Sequence, residues 1–123
     1  MMETVPNELL PTGRSFRVEI EITSNRLKDI LISAFEQGIG YWASNVDFSS
    51  YDDIVSGRQH AVITEREGGK QHMLSRNGLI NALSVMSRLK NLEHFTNTMT
   101  GDWDCVTGDV LVQCAIFSEI VYG

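Results

Sequence analysis

The stretch that decides the fold is residues 109–122, which read DVLVQCAIFSEIVY. Apolar residues would lie on nearly every side of a helix formed here, so no face of that helix would suit solvent. We therefore predict a central helix that covers a sheet and is buried by its neighbours. A buried strand is the alternative, because a long apolar run is compatible with either element.

The elements upstream of this stretch are indicated by shorter patterns. Residues 15–22, SFRVEIEI, alternate apolar and polar side chains, which predicts a half-buried strand. Thr23 or Ser24 then caps a helix that extends to about residue 37, and Gly38 ends it. Residues 43–48 form a second predicted strand.

A hairpin and a second helix follow. Residues 59–67 and 70–74 flank Gly-Gly at positions 68 and 69, and a two-residue loop there places Ile63 opposite Leu74 and Glu65 opposite His72. Ser75 caps a helix to about residue 90. Residues 91–108 are the longest irregular stretch, with room for one short helical turn. This order predicts an α+β fold: an antiparallel sheet of about four strands with two to three helices packed on one face.

Composition limits the chain to one domain. It has 123 residues, 42% of them hydrophobic and 21% charged, which is typical of a single globular unit. We predict one α+β domain over residues 14–123, preceded by a mobile N-terminal arm, residues 1–13, which contains both prolines. With no membrane-spanning window and no signal sequence, we expect a cytoplasmic protein with no membrane partner.

The net charge of −6 is unevenly distributed. Residues 91–123 contain five acids and no Lys or Arg: Glu93, Asp102, Asp104, Asp109 and Glu119. An acidic segment of this kind excludes direct binding of nucleic acid, which needs clustered Lys and Arg side chains. One interpretation is an anionic face for a basic protein partner. The other is that the aspartates precede a helix and are stabilised by its N-terminal dipole.

No catalytic motif stands out in the sequence. His72 and Glu65 would meet across the hairpin as an acid/base pair, but two polar side chains on a sheet explain the pattern as well. A thiol nucleophile at Cys105 would need a base such as His94 in fixed geometry. Cys105 and Cys114 match no redox or zinc spacing. We therefore expect reduced thiols, no metal, no cofactor and no enzymatic activity.

Five aromatic residues suggest a second kind of site: Tyr41, Trp42, Tyr51, Trp103 and Tyr122. Their rings would stack on a planar ligand, and glycines beside them would allow close approach of the backbone. The alternative is that these side chains fill the core and its rim.

Two segments carry a resemblance to a known group of proteins. Residues 112–123, VQCAIFSEIVYG, resemble the ending of small uncharacterised phage and prophage proteins, which close with an Asp-rich turn and then Gln, Ala, Phe, Gly, Glu, a branched apolar residue, Tyr and Gly. Residues 38–42, GIGYW, are similar to the Gly-rich Tyr-Trp segment of that group. The resemblance covers residues 16–123, with Ser118 where the group has Gly. It implies a phage origin and supplies no catalytic residues.

A small acidic protein of phage type is expected to act on its host by binding. We expect a counter-defence inhibitor in the host bacterial cytoplasm, whose anionic surface blocks a basic, nucleic-acid-binding protein of a bacterial immune system. The alternative is a sponge that sequesters a small nucleotide immune signal in a pocket between subunits of a homo-oligomer. A structural or assembly factor in phage production is the third interpretation.

Overall fold

The computed structural model describes residues 2–4, 17–19 and 21–123, and side chains from residue 21 onward. The described elements, in chain order, are β1 (Met2–Thr4), β2 (Arg17–Glu19), α1 (Ser24–Ser33), β3 (Ala43–Asp47), α2 (Tyr51–Ser56), β4 (Ala61–Glu65), β5 (Gln71–Leu74), α3 (Arg76–Met86), α4 (Glu93–Thr100) and α5 (Cys105–Phe117). A π-helical turn, Ala34–Gly38, continues α1. The predicted α+β class is confirmed.

The sheet is smaller than predicted. Strands β3, β4 and β5 form an antiparallel sheet in that order, whereas β1 pairs with β2 in a separate antiparallel pair. The strand predicted at residues 15–22 therefore does not join the main sheet. On the main sheet, Ala61, Ile63 and Leu74 are buried, while Met73 is 60% exposed. Alternate side chains point to opposite faces, so one face is covered and the other is open.

The hairpin register differs from the prediction. Ile63 lies opposite His72 instead of Leu74, and the Glu65 N–H donates to the Lys70 carbonyl at 2.8 Å. The loop therefore contains four residues rather than the two glycines alone, and each pairing shifts by two positions. Both glycines do adopt left-handed conformations, with φ of 81° and 68°, as their residue type favours.

The stretch that decides the fold forms a helix, α5, and not a strand. It begins at Cys105 because Asp104 caps it: the Asp104 carboxylate accepts from the Thr107 N–H at 2.9 Å, and the Thr107 hydroxyl accepts from the Asp104 N–H at 3.4 Å. The helix therefore starts four residues before the predicted start at Asp109. Its residues from Thr107 to Cys114 are buried, as an apolar helix requires.

The end of α5 also differs from the prediction. The helix stops at Ser118, which has φ of 59° and ψ of 17° and is the only non-glycine residue with positive φ in the described chain. Residues 118–123, here called the tail, are not helical. The tail leaves the helix axis at this residue, so its side chains contact different neighbours from those that a continued helix would contact.

The described residues contain five helices, more than the two to three predicted. The two additional helices are short: α2, with six residues, and α4, with eight. The second of these lies within the 18 residues predicted as irregular and occupies eight of them. His94 in α4 contacts Thr107 in α5 at 3.0 Å. None of the helices in the described residues has the length and apolar composition needed to cross a membrane. Most of the predicted arm, residues 1–13, lies outside the described residues.

Candidate functional site

The π-helical turn after α1 lies against the first turns of α5. A Cβ atom at Gly38 would be 2.5 Å from the Cys105 carbonyl oxygen, and one at Gly108 would be 2.8 Å from the Cβ of Ala34. These distances are far below van der Waals contact, so both positions require glycine. The close crossing brings residues 38–42 beside the first turns of α5.

Asp109 is the centre of this junction. Although it is a carboxylate, it is only 7% exposed. Its Oδ1 accepts from Trp42 Nε1 at 2.8 Å and from Gln113 Nε2 at 2.9 Å, and its Oδ2 accepts from the Tyr41 hydroxyl at 2.6 Å. Burial and the neighbouring carboxylate raise the pKa of Tyr41 to about 12, so its hydroxyl remains a donor at neutral pH. Both carboxylate oxygens therefore have partners within the protein.

Gln113, one helical turn after Asp109, binds the tail. Its side chain is fully buried, and its Oε1 accepts from the N–H groups of Val121 and Tyr122, each at 2.8 Å. Its Nε2 also donates to the Tyr122 carbonyl at 3.2 Å. The amide therefore satisfies backbone groups of the tail as a neighbouring strand would.

Tyr122 connects the tail to the sheet. Its ring stacks on Trp42, with centroids 5.2 Å apart and planes 6° from parallel, and its hydroxyl donates to Glu65. Glu65 also shares a hydrogen bond of 2.7 Å with His72 Nε2, so the predicted contact between these two residues is confirmed despite the different register. The hydrogen bonds from His72 and Tyr122 lower the pKa of Glu65, which favours the ionised carboxylate.

A groove lies between the tail, the first turns of α5 and Tyr41. This tail groove has a volume of about 470 Å³. Six large apolar side chains of the described residues are strongly exposed, and three of them line the groove: Tyr41 at 54%, Val106 at 51% and Ile120 at 46%. A fourth, Val121, follows Ile120 in the tail and is 50% exposed. Exposed apolar surface is therefore concentrated at this groove.

The five predicted acidic residues do not form one face. The prediction that Asp109 belongs to an exposed acidic face is wrong, because this residue is buried and hydrogen-bonded to Trp42 and Gln113. Asp104 is exposed but caps α5, as the capping interpretation predicted, and the Thr107 N–H lowers its pKa.

The other three acids are exposed at separate places. Glu93 begins α4, Asp102 follows the end of α4, and Glu119 follows the end of α5. Since α5 has 13 residues, its two ends are about 20 Å apart. Asp102, just before α5, and Glu119, just after it, are therefore separated by the length of the helix.

The five predicted aromatic residues separate into three groups. Tyr41, Trp42 and Tyr122 belong to the tail junction, where Trp42 is 3% exposed and one of its faces is covered by Tyr122. Tyr51 packs with two phenylalanines near β3. The Trp103 ring lies 5.9 Å from the Arg26 guanidinium carbon. The five rings therefore do not form a common pocket for a planar ligand.

The described residues also contain no cluster suited to a metal. No group of three His, Cys, Asp or Glu side chains that could bind an ion occurs in them. Cys105 and Cys114 are both free thiols, and burial raises the pKa of Cys114 to about 11, which keeps it protonated and unreactive. His94 contacts the Thr107 hydroxyl at 3.0 Å.

Sequence reasoning missed the pairing of Asp109 with Gln113. The signal was present, since these are two polar residues four positions apart within an otherwise apolar run, and residues four apart share one face of a helix. Polar side chains at such positions are expected to bond to each other or to another buried group. The exposed Ile120 and Val121 were also missed, because their exposure depends on where α5 ends. Val106 was missed because it lies before the predicted start of that helix.

We compared the chain with known proteins in three ways. No protein-family model, curated protein or solved structure matches it. The function is therefore inferred from the residues and contacts of the tail junction and its groove.

Proposed function

We propose that this protein is a phage-encoded accessory protein that binds a host protein in the bacterial cytoplasm and inhibits a bacterial immune system. The observation that carries the proposal is the concentration of exposed apolar side chains that line the tail groove: Tyr41, Val106 and Ile120. Contiguous exposed apolar surface on a small protein is typical of a protein-binding site. Tyrosine is also enriched in protein interfaces, because it combines a large contact area with a polar end.

The charge around the groove favours a basic target. Asp104 immediately precedes the groove residue Cys105, and Glu119 immediately precedes Ile120; both acids are exposed. No Lys or Arg is among the described residues that line the groove. An apolar groove with acidic residues at its margins suits a protein partner whose apolar side chains are surrounded by Lys and Arg. Nucleic-acid-binding surfaces are of this kind.

The hydrogen bonds below the groove keep its walls in place. Gln113 binds the tail backbone and Asp109 binds Tyr41, so both walls are fixed to α5. A surface that is already ordered loses less conformational entropy on binding. This rigidity supports direct recognition of a folded partner.

The central test is a plating assay in bacteria that carry one immune system at a time. Expression of the protein is expected to restore plating of a restricted phage by at least about tenfold for one such system. Ile120→Arg should lose this effect, because it places in the groove a positive charge that binding would bury without a partner. Met73→Arg is the matched control, since Met73 is also exposed but lies on the open sheet face, and it should retain the effect.

Two outcomes would contradict the proposal. If no immune system is suppressed and the protein instead co-purifies with virion components, the assembly interpretation replaces it. If the protein suppresses a system but is stabilised against heat by cyclic nucleotides, the sponge interpretation replaces it, since a ligand at 100 times its Kd adds about 2.7 kcal/mol. Because no base lines the groove, we expect no such stabilisation.

The charge of the target is tested separately by association kinetics. Combined Glu93→Gln, Asp102→Asn and Glu119→Gln removes three exposed charges without touching the Asp104 cap or the buried Asp109. The rate of association with the identified target should fall several-fold and depend less on salt, whereas the dissociation rate changes little. Unchanged association rates would mean that Lys and Arg side chains of the target do not contribute to its recognition.

A further inference from the structure

A second groove follows the outer edge of β3. This edge groove has a volume of about 330 Å³, and it is lined by Gly40, by residues 43–46 and by the rings of Phe35, Phe48 and Tyr51. Strand β3 is at one edge of the main sheet, and within the described residues no strand pairs with its outer side. An edge strand presents unpaired backbone N–H and C=O groups. The edge groove therefore combines an open strand edge with an aromatic floor.

The hydrogen-bond pattern of β4 identifies which backbone groups are unpaired. The Glu65 N–H donates to Lys70 in the hairpin, so Glu65 directs its backbone groups toward β5. In an antiparallel sheet, the direction alternates from one residue to the next. Thr64 and Val62 therefore direct their backbone groups to the other side, toward β3.

The partners of these two residues then fix the direction for β3. Asn45 lies opposite Thr64 and Asp47 lies opposite Val62, so both use their backbone groups within the sheet. Val46, which lies between them, directs its N–H and C=O outward into the edge groove. Among the described residues no group pairs with this N–H and C=O, so one donor and one acceptor at the centre of this edge are open to a further strand.

The groove also has a defined chemistry beyond the backbone. The rings of Phe35, Phe48 and Tyr51 contact one another with centroids 4.9 to 5.6 Å apart, and all three are only partly buried. Glu36 is exposed at the groove, and no Lys or Arg is among its described lining residues. A strand that presents an apolar side chain to the rings and a cation to Glu36 would complement it.

We propose that the edge groove binds an extended peptide segment of a protein partner, which pairs with Val46 as a fourth strand of the main sheet. The segment places an apolar or aromatic side chain on the ring cluster and a Lys or Arg side chain beside Glu36. This proposal is independent of the tail groove, because the two grooves share no lining residue.

Peptide selection against the whole protein provides the test. A random library of displayed twelve-residue peptides is selected on the full chain, and enriched peptides are synthesised with single backbone N-methyl groups. Strand pairing predicts an alternating response: methylation of an N–H that faces β3 weakens binding by about tenfold, while methylation of the next N–H has little effect. No enrichment, or a response without alternation, would overturn the proposal.

A pair of variants assigns the peptides to one groove. A Cβ at Gly40 would meet no atom within 4 Å, so Gly40→Trp extends into open space at the edge groove without disturbing the core. It should reduce binding of the selected peptides by at least about tenfold. Gln37→Trp places the same side chain at the tail groove and should leave binding unchanged. The reverse result would assign the peptides to the tail groove and overturn the edge-groove proposal, while leaving the proposed function intact.

Discussion

The two ends of α5 both satisfy backbone N–H groups with side-chain oxygens, but in different surroundings. At the start, the exposed Asp104 carboxylate accepts from the Thr107 N–H. Near the end, the fully buried Gln113 amide accepts from the N–H groups of Val121 and Tyr122. Water can replace the first acceptor and cannot reach the second. The same kind of contact should therefore contribute more to stability at the buried end.

The largest effect is expected from Gln113→Leu, which keeps the size of the side chain and removes its hydrogen bonds. Two backbone N–H groups and one backbone carbonyl of the tail and one oxygen of Asp109 lose a partner. The free energy of unfolding should therefore fall by about 3 kcal/mol. Urea unfolding gives this value. Amide hydrogen exchange at Val121 and Tyr122 should accelerate more than exchange within the core of α5.

The matched control for this variant is Gln71→Leu, which makes the same replacement at an exposed position of β5. Its effect should remain within about 0.5 kcal/mol. Equal losses in the two variants would show that Gln113 does not hold the tail.

Asp104→Ala, at the exposed end, should have a smaller effect of about 1 kcal/mol, the usual value for loss of a helix cap. This loss depends on pH. The Thr107 N–H lowers the pKa of Asp104 in the folded protein, so the contribution is complete above the unfolded-state pKa of about 3.9 and is lost as the pH falls through the lower folded pKa.

Asp104→Asn separates the charge from the cap. Asparagine also caps helices but does not titrate, so this variant should retain most of the stability at pH 7. Its stability should decline less than that of the unaltered protein between about pH 4 and pH 2. Parallel curves for the two proteins in acid would contradict this role of Asp104.

The smallest effect is expected from Ser118→Gly, at the residue where α5 ends and the tail begins. Ser118 has φ of 59°, a conformation that favours glycine, so the variant should gain between about 0.5 and 1 kcal/mol in thermal unfolding. Glu119→Gly is the control, because Glu119 does not have a positive φ and should lose stability from the added chain freedom. A loss in Ser118→Gly would contradict this explanation.

Local signals in the sequence were sufficient for the starts of α1 and α3. Thr23 and Ser75 accept from backbone N–H groups at the starts of α1 and α3, as predicted. The start of α5 was missed because its cap, Asp104, lies before the apolar run rather than at its edge. The hairpin register was missed because loop length depends on the two residues before the glycines, whose types favour no particular turn.

The site was less predictable than the fold, since it depends on burial. Residue counts place Asp109 with the other acids, yet the approach of Trp42 encloses it. An almost wholly apolar helix gives no preferred direction, so sequence alone does not tell which face meets the π-helical turn. The exposure of Ile120 likewise follows from the left-handed turn at Ser118, which the apolar pattern of the stretch does not reveal.

The stack of Tyr122 on Trp42 gives the molecule an internal optical reporter. Trp42 is buried, donates to a carboxylate and touches the tail, whereas the second tryptophan, Trp103, is only partly buried. In Trp103→Phe, the indole emission would come from Trp42 alone. Release of the tail would expose that indole to water and shift its emission to longer wavelength, so docking of the tail can be followed in solution without a label.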